Sequence, residues 1–388
     1  MTIIVVELFI ILVFSLSVIF WIYFGYPVVL KYLADKYEKP VTKDEHYEPF
    51  VTVMIMTYNE ASTIRRKIEN TLALEYPKQK LHILVVDSMS DDDTVKICRN
   101  FPEIDVVQEC ERRGKSMAVK FGMSHAKGEI IVVTDANCFY ESQSLRKLVG
   151  NFADPEVGGV TGAFHQRDQS GTPVAGSGEY YWERERKIRQ DESRLFSVIA
   201  LSGEMSAFRK ELGLGVEFYS GADDFDMTIH LIKQHRRVIF EPYAMAWEIA
   251  ADNVSDFMNQ RIKVIVMAIT VARKELFKVL FNPRFGWYGN FILPSRRVLP
   301  LFSPFLLITS FFSTLFLTLL YPFFPFLALL LCQLSGPFIA MFYQKIPLPG
   351  ISRIYYFYLM NWLVLKSWSV YLKGHRFVMW NKVNSTRN

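Results

Sequence analysis

The sequence predicts an α/β domain, a Rossmann-like and mostly parallel sheet, held between N- and C-terminal transmembrane helices. Apolar residues gather at the two ends of the 388-residue chain. Between Pro49 and about Ala250 the pattern changes to short apolar runs alternating with longer helical stretches. Strand and helix in alternation give a parallel sheet covered on both faces.

The ends come first. Residues 3–24 are apolar apart from Glu7 and small polar residues, enough to cross a bilayer. No basic stretch precedes them and no small-residue cleavage site follows, so a retained anchor over 1–30 is expected. Lys31, Lys36, Lys39 and Lys43 follow, which places the middle of the chain in the cytoplasm. Residues 298–320 and 321–343 read as two spans joined by a turn bearing Pro322 and Pro325. Arg296 and Arg297 precede them, and Lys345 and Arg353 follow, so 298–344 is expected to be a hairpin. The stretch 353–373 is aromatic but holds Lys366. It reads as a third C-terminal span or as a surface helix, ahead of a basic tail at 374–388. The expected setting is the plasma membrane, crossed more than once.

The net charge of +5 is too small and too dilute to argue for nucleic acid. The four cysteines, Cys98, Cys110, Cys138 and Cys332, form no CxxC pair, so neither structural zinc nor a disulfide framework is indicated.

In the middle domain, 48–250, strands are expected at 50–56, 81–86 and 130–133, and helices at 61–74, 92–101, 115–126 and 142–152. Ligands of such sheets collect at the carboxyl ends of the strands. Those ends carry Thr57-Tyr58-Asn59-Glu60, Asp87-Ser88 and Asp135-Ala136-Asn137. Neighbouring acids repel unless something positive lies between them, and a divalent cation with a nucleotide diphosphate meets that need. The plainer alternative is helix capping, with Asp91 capping a helix that begins near Asp92.

The order of these segments resembles the membrane-embedded family 2 glycosyltransferases of GT-A fold: cellulose, hyaluronan, chitin-oligosaccharide and poly-N-acetylglucosamine synthases. Val51 to Glu60 resembles their opening strand and Tyr-Asn-Glu turn, and Val85 to Thr94 their second strand and acidic turn. Arg113-Gly114-Lys115, Val133 to Asn137, Gly221-Ala222-Asp223-Asp224 and Gln260-Arg261-Ile262-Lys263-Val264 follow in order.

The resemblance implies a role for each residue. Asp87 would hold the base and ribose of a nucleotide-sugar donor, with Thr57, Tyr58 and Glu60 bordering the pocket. Lys115 would meet the diphosphate as a point charge. Asp135 and Asn137 match a metal-binding Asp-x-Asp motif with one substitution, and their oxygens suit Mg2+ or Mn2+. Asp224 would be the general base that deprotonates the acceptor, and Asp223 beside it would tune its pKa. In-line attack would then invert the anomeric centre.

The last motif departs from the polymer synthases. Their Gln-x-x-Arg-Trp places an arginine on the diphosphate and a tryptophan under the acceptor sugar. Here Gln260 and Lys263 keep a polar and a charged donor-side group, but Val264 has no aromatic face. The helices of 251–297 also fit a basic amphipathic surface segment with Arg261, Arg273, Lys274 and Lys278. The expected acceptor is therefore a glycan or lipid-linked molecule receiving one sugar. A processive synthase coupled to export is the alternative, and a non-catalytic transporter or scaffold a second. Trp247-Glu248, after a strand at 238–240, is read as acceptor-side or as packing, and Trp182 to Arg186 as the start of a charged helix. Gly114-Lys115-Ser116 is not a Walker loop, because position 109 is Glu109. Asn384-Ser385-Thr386 is a sequon that a cytoplasmic tail would not expose to glycosylation.

Overall fold

The computed structural model describes residues 2–167, 173–218, 223–249, 254–271, 277–342 and 351–375. Gly221, Ala222, Arg273, Lys274, Lys345, Arg376, Lys382, Arg387 and the 384–386 sequon lie outside them. The helices begin with α1 (Thr2–Phe20) and α2 (Tyr26–Lys36), joined by the π-helical turn Trp21–Gly25. Within the middle domain follow α3 (Ile64–Leu72), α4 (Thr94–Cys98), α5 (Lys115–His125), α6 (Ser144–Val149), α7 (Pro173–Leu195), α8 (Lys210–Gly213) and α9 (Asp223–Lys233). The C-terminal set is α10 (Val254–Val271), α11 (Phe277–Val279), α12 (Leu299–Leu320), α13 (Phe324–Met341) and α14 (Ile351–Leu372).

The strands are β1 (Val51–Thr57), β2 (Leu81–Asp87), β3 (Asp105–Gln108), β4 (Ile130–Asp135), β5 (Phe139–Tyr140), β6 (Val157–Arg167), β7 (Ser206–Arg209) and β8 (Arg237–Ile249). They form one eight-stranded sheet in the order β3-β2-β1-β4-β7-β6-β8-β5. The β3-β2-β1-β4 half is parallel. β7 runs antiparallel between β4 and β6, β8 is parallel to β6, and β5 is antiparallel to β8.

β1 is buried at every position, as a sheet covered on both faces requires. Its alternate residues feed two cores. Met54 and Met56 join one with Val86 and Val133, while Val53 and Ile55 join the other with Val85 and Val132. The register then sets the site, since Met56 pairs with Asp135 and Thr57 with Asp87. The three expected strands therefore end in one row.

Local boundaries differ where side chains decide them. The N-cap position of α4 is Asp93, not Asp91, and the residue before it, Asp92, accepts from the Thr94 amide through Oδ1 at 2.9 Å. Asp91 instead donates its amide to Asn59 Oδ1 at 3.0 Å. Trp247 and Glu248 lie within β8, which runs well past 238–240. Trp182 lies inside α7 rather than at its start.

Among the described residues, three helices are long and apolar enough to cross a membrane: Ile3–Lys36, Tyr288–Leu320 and Phe324–Met341. The second begins ahead of residue 298, because π-helical turns at Tyr288–Ile292 and Pro294–Val298 carry the helix through Pro294. Pro325 falls in the first turn of α13, where a missing amide costs nothing. α14 is helical and is not among those three. It packs on α10 and α12 through Ile262, Val266, Leu301 and Leu363. Ser303 Oγ donates to Asn361 Oδ1 at 2.6 Å, and Trp368 Nε1 to the Leu301 carbonyl at 2.8 Å.

A buried polar knot ties the domain to these helices. Glu192, fully buried, accepts from Tyr26 Oη at 2.8 Å, Arg296 Nε at 2.8 Å and the Ile199 amide at 3.0 Å. Arg296 also donates to Glu185 Oε1 at 2.6 Å. Burial opposes the Glu185 charge, but Arg296 and Arg189 outweigh it and hold that carboxyl down at about 2.

Candidate active site

A cavity of about 490 Å3 opens at the carboxyl ends of β1 and β4, and its far wall is made by α7, α9, α10 and residues 296–297. Of the residues singled out from the sequence, Thr57, Tyr58, Glu60, Lys115, Asp135, Asn137, Asp223, Asp224, Gln260 and Val264 line it. The structure brings together segments spread over two hundred residues.

The β1 end forms one corner. Tyr58 lies under Arg112, whose guanidinium carbon is 3.6 Å from the ring centre. Glu60 is buried and accepts from Thr63 Oγ1 at 3.0 Å. Asp87 stands behind this corner and is not among the lining residues. Its oxygens accept from Thr57 Oγ1 at 3.1 Å, the Ser90 amide at 2.9 Å and Gln108 Nε2 at 3.0 Å. The carboxylate thus holds the 88–92 turn in shape.

Lys115 opens α5. Gly114 before it has φ +93°, a conformation a side chain would strain, and this turns the lysine toward β4. Lys115 Nζ lies 2.6 Å from Asp135 Oδ1. Burial opposes the ammonium charge, yet Asp135, Asp223 and Glu204 outweigh it and raise the lysine above its ordinary range. A Cβ at Gly203 would sit 3.1 Å from Lys115 Nζ, so glycine there lets the 202–204 backbone approach the pair.

Beside them, Asn137 Nδ2 donates to Glu248 Oε2 at 3.2 Å, so the amide nitrogen faces Glu248 and the carbonyl oxygen faces the other way. Among the described residues no three His, Cys, Asp or Glu side chains converge as a closed metal cage. The oxygens of Asp135 and Asn137 could serve only an open site, in which one or two protein ligands leave the other positions to phosphate and water. The cationic Lys115 against Asp135 shows that this corner accepts positive charge.

Asp223 and Asp224 begin α9, where the N-terminal amides favour negative charge. Asp224 Oδ1 accepts from the Phe225 amide at 2.8 Å. Burial, opposed by Lys115 and reinforced by Asp224 and Asp135, pushes the Asp223 carboxyl up to about 7.

Besides Asp87, two expected residues lie off the cavity wall, Lys263 and Trp247. The α10 residues that line the cavity are Gln260, Arg261, Val264 and Met267, and Lys263 is not among them. Trp247 packs with Phe139, ring centres 4.9 Å apart, under Arg66 at 5.2 Å.

Other contributors carry no motif. Glu204 lines the cavity, and burial raises its carboxyl pKa. Lys67 is fully buried behind the acid turn, with Nζ 3.0 Å from Thr134 Oγ1, 2.5 Å from the Cys138 carbonyl and 4.1 Å from the Tyr140 ring centre. Desolvation lowers it to about 8. Arg186, Arg189, Arg296 and Arg297 also reach the wall. Arg296 and Arg297 are visible in the sequence as a basic pair, but there they signal membrane topology.

Comparison with known proteins fits this geometry. Residues 52–213 match the model of glycosyl transferase family 2. The chain is 25% identical over 281 residues to the poly-β-1,6-N-acetyl-D-glucosamine synthase of Staphylococcus aureus, covering 70% of this chain and 67% of that one. It is 23% identical over 259 residues to the dolichyl N-acetyl-α-D-glucosaminyl phosphate 3-β-D-2,3-diacetamido-2,3-dideoxy-β-D-glucuronosyltransferase of Methanococcus voltae, covering 61% and 78%. A mannosyltransferase of Pyrobaculum calidifontis, solved in complex with GDP-Man and Mn2+, superposes with a TM-score of 0.74 at 26% identity, covering 94% of this chain and all of that one. Fold and site together define a glycosyltransferase of GT-A architecture with membrane-type helices at both ends. The family 2 match over residues 52–213 takes in β4 and nearly all of β1, the strands at whose ends the cavity opens.

Proposed function

We propose that the chain transfers one sugar, with inversion, from a nucleotide-diphosphate sugar to a glycan or lipid-linked acceptor at the cytoplasmic membrane face. The observation that carries this reading is the content of one cavity: the Lys115–Asp135 pair beside Asn137, with Asp223-Asp224 in the same wall. Tyr58, Glu60 and the turn held by Asp87 border the nucleotide. Lys115 meets the diphosphate. A divalent cation, Mg2+ or Mn2+, bound at Asp135 and Asn137 would neutralise charge on the departing diphosphate. Asp224 takes the acceptor hydroxyl proton as that oxygen attacks the anomeric carbon. Asp223 stands beside it in the first turn of α9 and lines the same wall. A uridine donor is implied by the resemblance of the sequence motifs to the polymer synthases, whereas the Pyrobaculum mannosyltransferase was solved with GDP-Man.

A processive synthase is the second reading, favoured by the likeness to the staphylococcal poly-N-acetylglucosamine synthase. Against it stands Val264, which lines the cavity where a stacking aromatic would be needed. Purified chain incubated with labelled UDP- and GDP-sugars and Mn2+ separates the two. A single added sugar supports transfer to one acceptor, a ladder supports polymerisation, and no turnover with any donor overturns both.

A further inference from the structure

Ser88 and Glu109 follow the last residues of two paired strands. The register of β2 and β3 sets Asp87 against Gln108, so the next two residues also meet. The Glu109 amide donates to the Asp87 carbonyl at 2.9 Å, and Ser88 Oγ donates to Glu109 Oε2 at 2.9 Å. The Glu109 side chain is only 1% exposed. Its Oε1 has no hydrogen-bond partner among the described residues, and Arg113 Nη2 lies 3.8 Å from it. Burial pushes this carboxyl up, while the Ser88 hydroxyl and Arg113 hold it down. Ser88 lines the cavity together with Tyr58 and Arg112, and Glu109 is not among the lining residues.

This arrangement fixes the polarity of Ser88. A hydroxyl has one proton and two lone pairs, and an ionised carboxylate only accepts. Glu109 therefore takes the Ser88 proton, and the Ser88 oxygen meets the cavity as an acceptor. Tying the two strand ends together does not require this, because the Glu109 amide already does so. A buried carboxylate with one unmatched oxygen is an unfavourable second tie. Strand order says which part of a nucleotide meets that oxygen. Neighbours run β2-β1-β4, and Lys115 pairs with Asp135 at the end of β4, where the diphosphate is met. The end of β2 lies two strand spacings from there, about 10 Å. Ribose joins base to diphosphate, so the ribose falls over β1 and the base reaches β2. Asp87 commits its oxygens to Thr57, Ser90 and Gln108, which leaves Ser88 to meet the base.

We propose that Ser88, its proton held by Glu109, reads the pairing edge of the donor's base and selects bases whose ring nitrogen there carries a proton. Uracil and guanine carry one. Cytosine and adenine present a lone pair at that nitrogen, which would face the lone pairs of Ser88. This rests on the transfer reading above and names the nucleotides its site takes. Ser88 touches the base, and Glu109 is a positioning residue that acts through it. A site built to accept a hydrogen bond rejects a ligand that cannot donate one.

The test is calorimetric titration of the full chain in detergent micelles, with Mn2+, by UDP, CDP, GDP and ADP. UDP and CDP share one shape, so their ratio isolates the pairing edge, and GDP against ADP repeats the comparison for purines. UDP is expected to bind at least about tenfold more tightly than CDP, the step expected of one buried hydrogen bond made or refused. Ser88→Ala and Glu109→Leu should each bring that ratio within about threefold. In Glu109→Leu the Ser88 proton is released toward the cavity, so CDP should gain affinity while UDP loses it. A merely structural role would weaken both nucleotides alike and leave the ratio unchanged. Equal binding of UDP and CDP, and of GDP and ADP, by the wild type would overturn the proposal and assign the pair to ribose. An unchanged ratio in a folded variant would overturn it too. Should Glu109→Leu fail to fold by thermal unfolding, Ser88→Ala carries the same measurement. Binding is read without turnover, so a chain that prefers UDP to CDP yet transfers no sugar refutes the transfer reading and leaves the base reader standing. Sugar transfer without base preference does the reverse, and no binding of any of the four overturns both.

Discussion

Lys115 Nζ and Asp135 Oδ1 lie 2.6 Å apart, joining the first residue of α5 to the last residue of β4. The pair places a cation against the acid at the corner where a sugar donor's diphosphate would rest. Lys115→Ala should therefore weaken nucleoside diphosphate binding and lower kcat/KM by about a hundredfold or more, the scale of a lost charge contact in a water-poor site. Titration of UDP and GDP by calorimetry, with steady-state kinetics, reads both effects.

Asp223 gives a pH signature. Its folded-state pKa of about 7 lies above the ordinary aspartate value near 3.9. A carboxyl raised on folding contributes stability that is complete below its unfolded pKa and is lost as pH rises through the folded one. The metal-free protein should lose Tm between about pH 4 and pH 7 relative to Asp223→Asn. Thermal unfolding of both proteins across that range checks it, and parallel curves would remove the assignment.

Lys67 should matter for the acid turn although it is absent from the cavity wall. Its ammonium bonds Thr134 and the Cys138 carbonyl, on either side of Asp135 and Asn137. Lys67→Met keeps the bulk and leaves a buried carbonyl unsatisfied, at a cost of about 1–3 kcal/mol. Mn2+ affinity, followed by electron paramagnetic resonance, should fall with it.

Arg296→Ala should loosen the domain from its membrane helices. It strips the shared partner from Glu185 and Glu192, both buried. Removing one side of such a cluster costs about 3–5 kcal/mol. Graded SDS unfolding in mixed micelles measures it, and a Glu192→Gln background should reduce the loss.

How much of this was legible in the sequence depends on distance along the chain. β1, β2 and β4 were readable because strands buried on both faces are continuous apolar runs, and their polar ends named Thr57, Asp87 and Asp135. The structure sharpened one of these, since Asp87 spends its oxygens on Thr57, Ser90 and Gln108. The motif points Lys263 at the cavity, but α10 lines it with Gln260, Arg261, Val264 and Met267. Glu204 and Lys67 had no local signal. One sits in the short Ser202-Gly203-Glu204 link, and the other looks like any charged helix residue until Thr134 and Cys138 close over it. The charge knot of Tyr26, Glu185, Glu192 and Arg296 was equally hidden, because no pattern in the sequence pairs residues so far apart.

The most direct test of the central claim is sugar transfer by the wild-type chain and by Asp224→Asn, with labelled UDP- and GDP-sugars and Mn2+. The account predicts nucleoside diphosphate release and sugar transfer by the wild type. It predicts a loss of about 10²- to 10⁴-fold in kcat for Asp224→Asn, with nucleotide binding retained. Undiminished transfer by Asp224→Asn would contradict it.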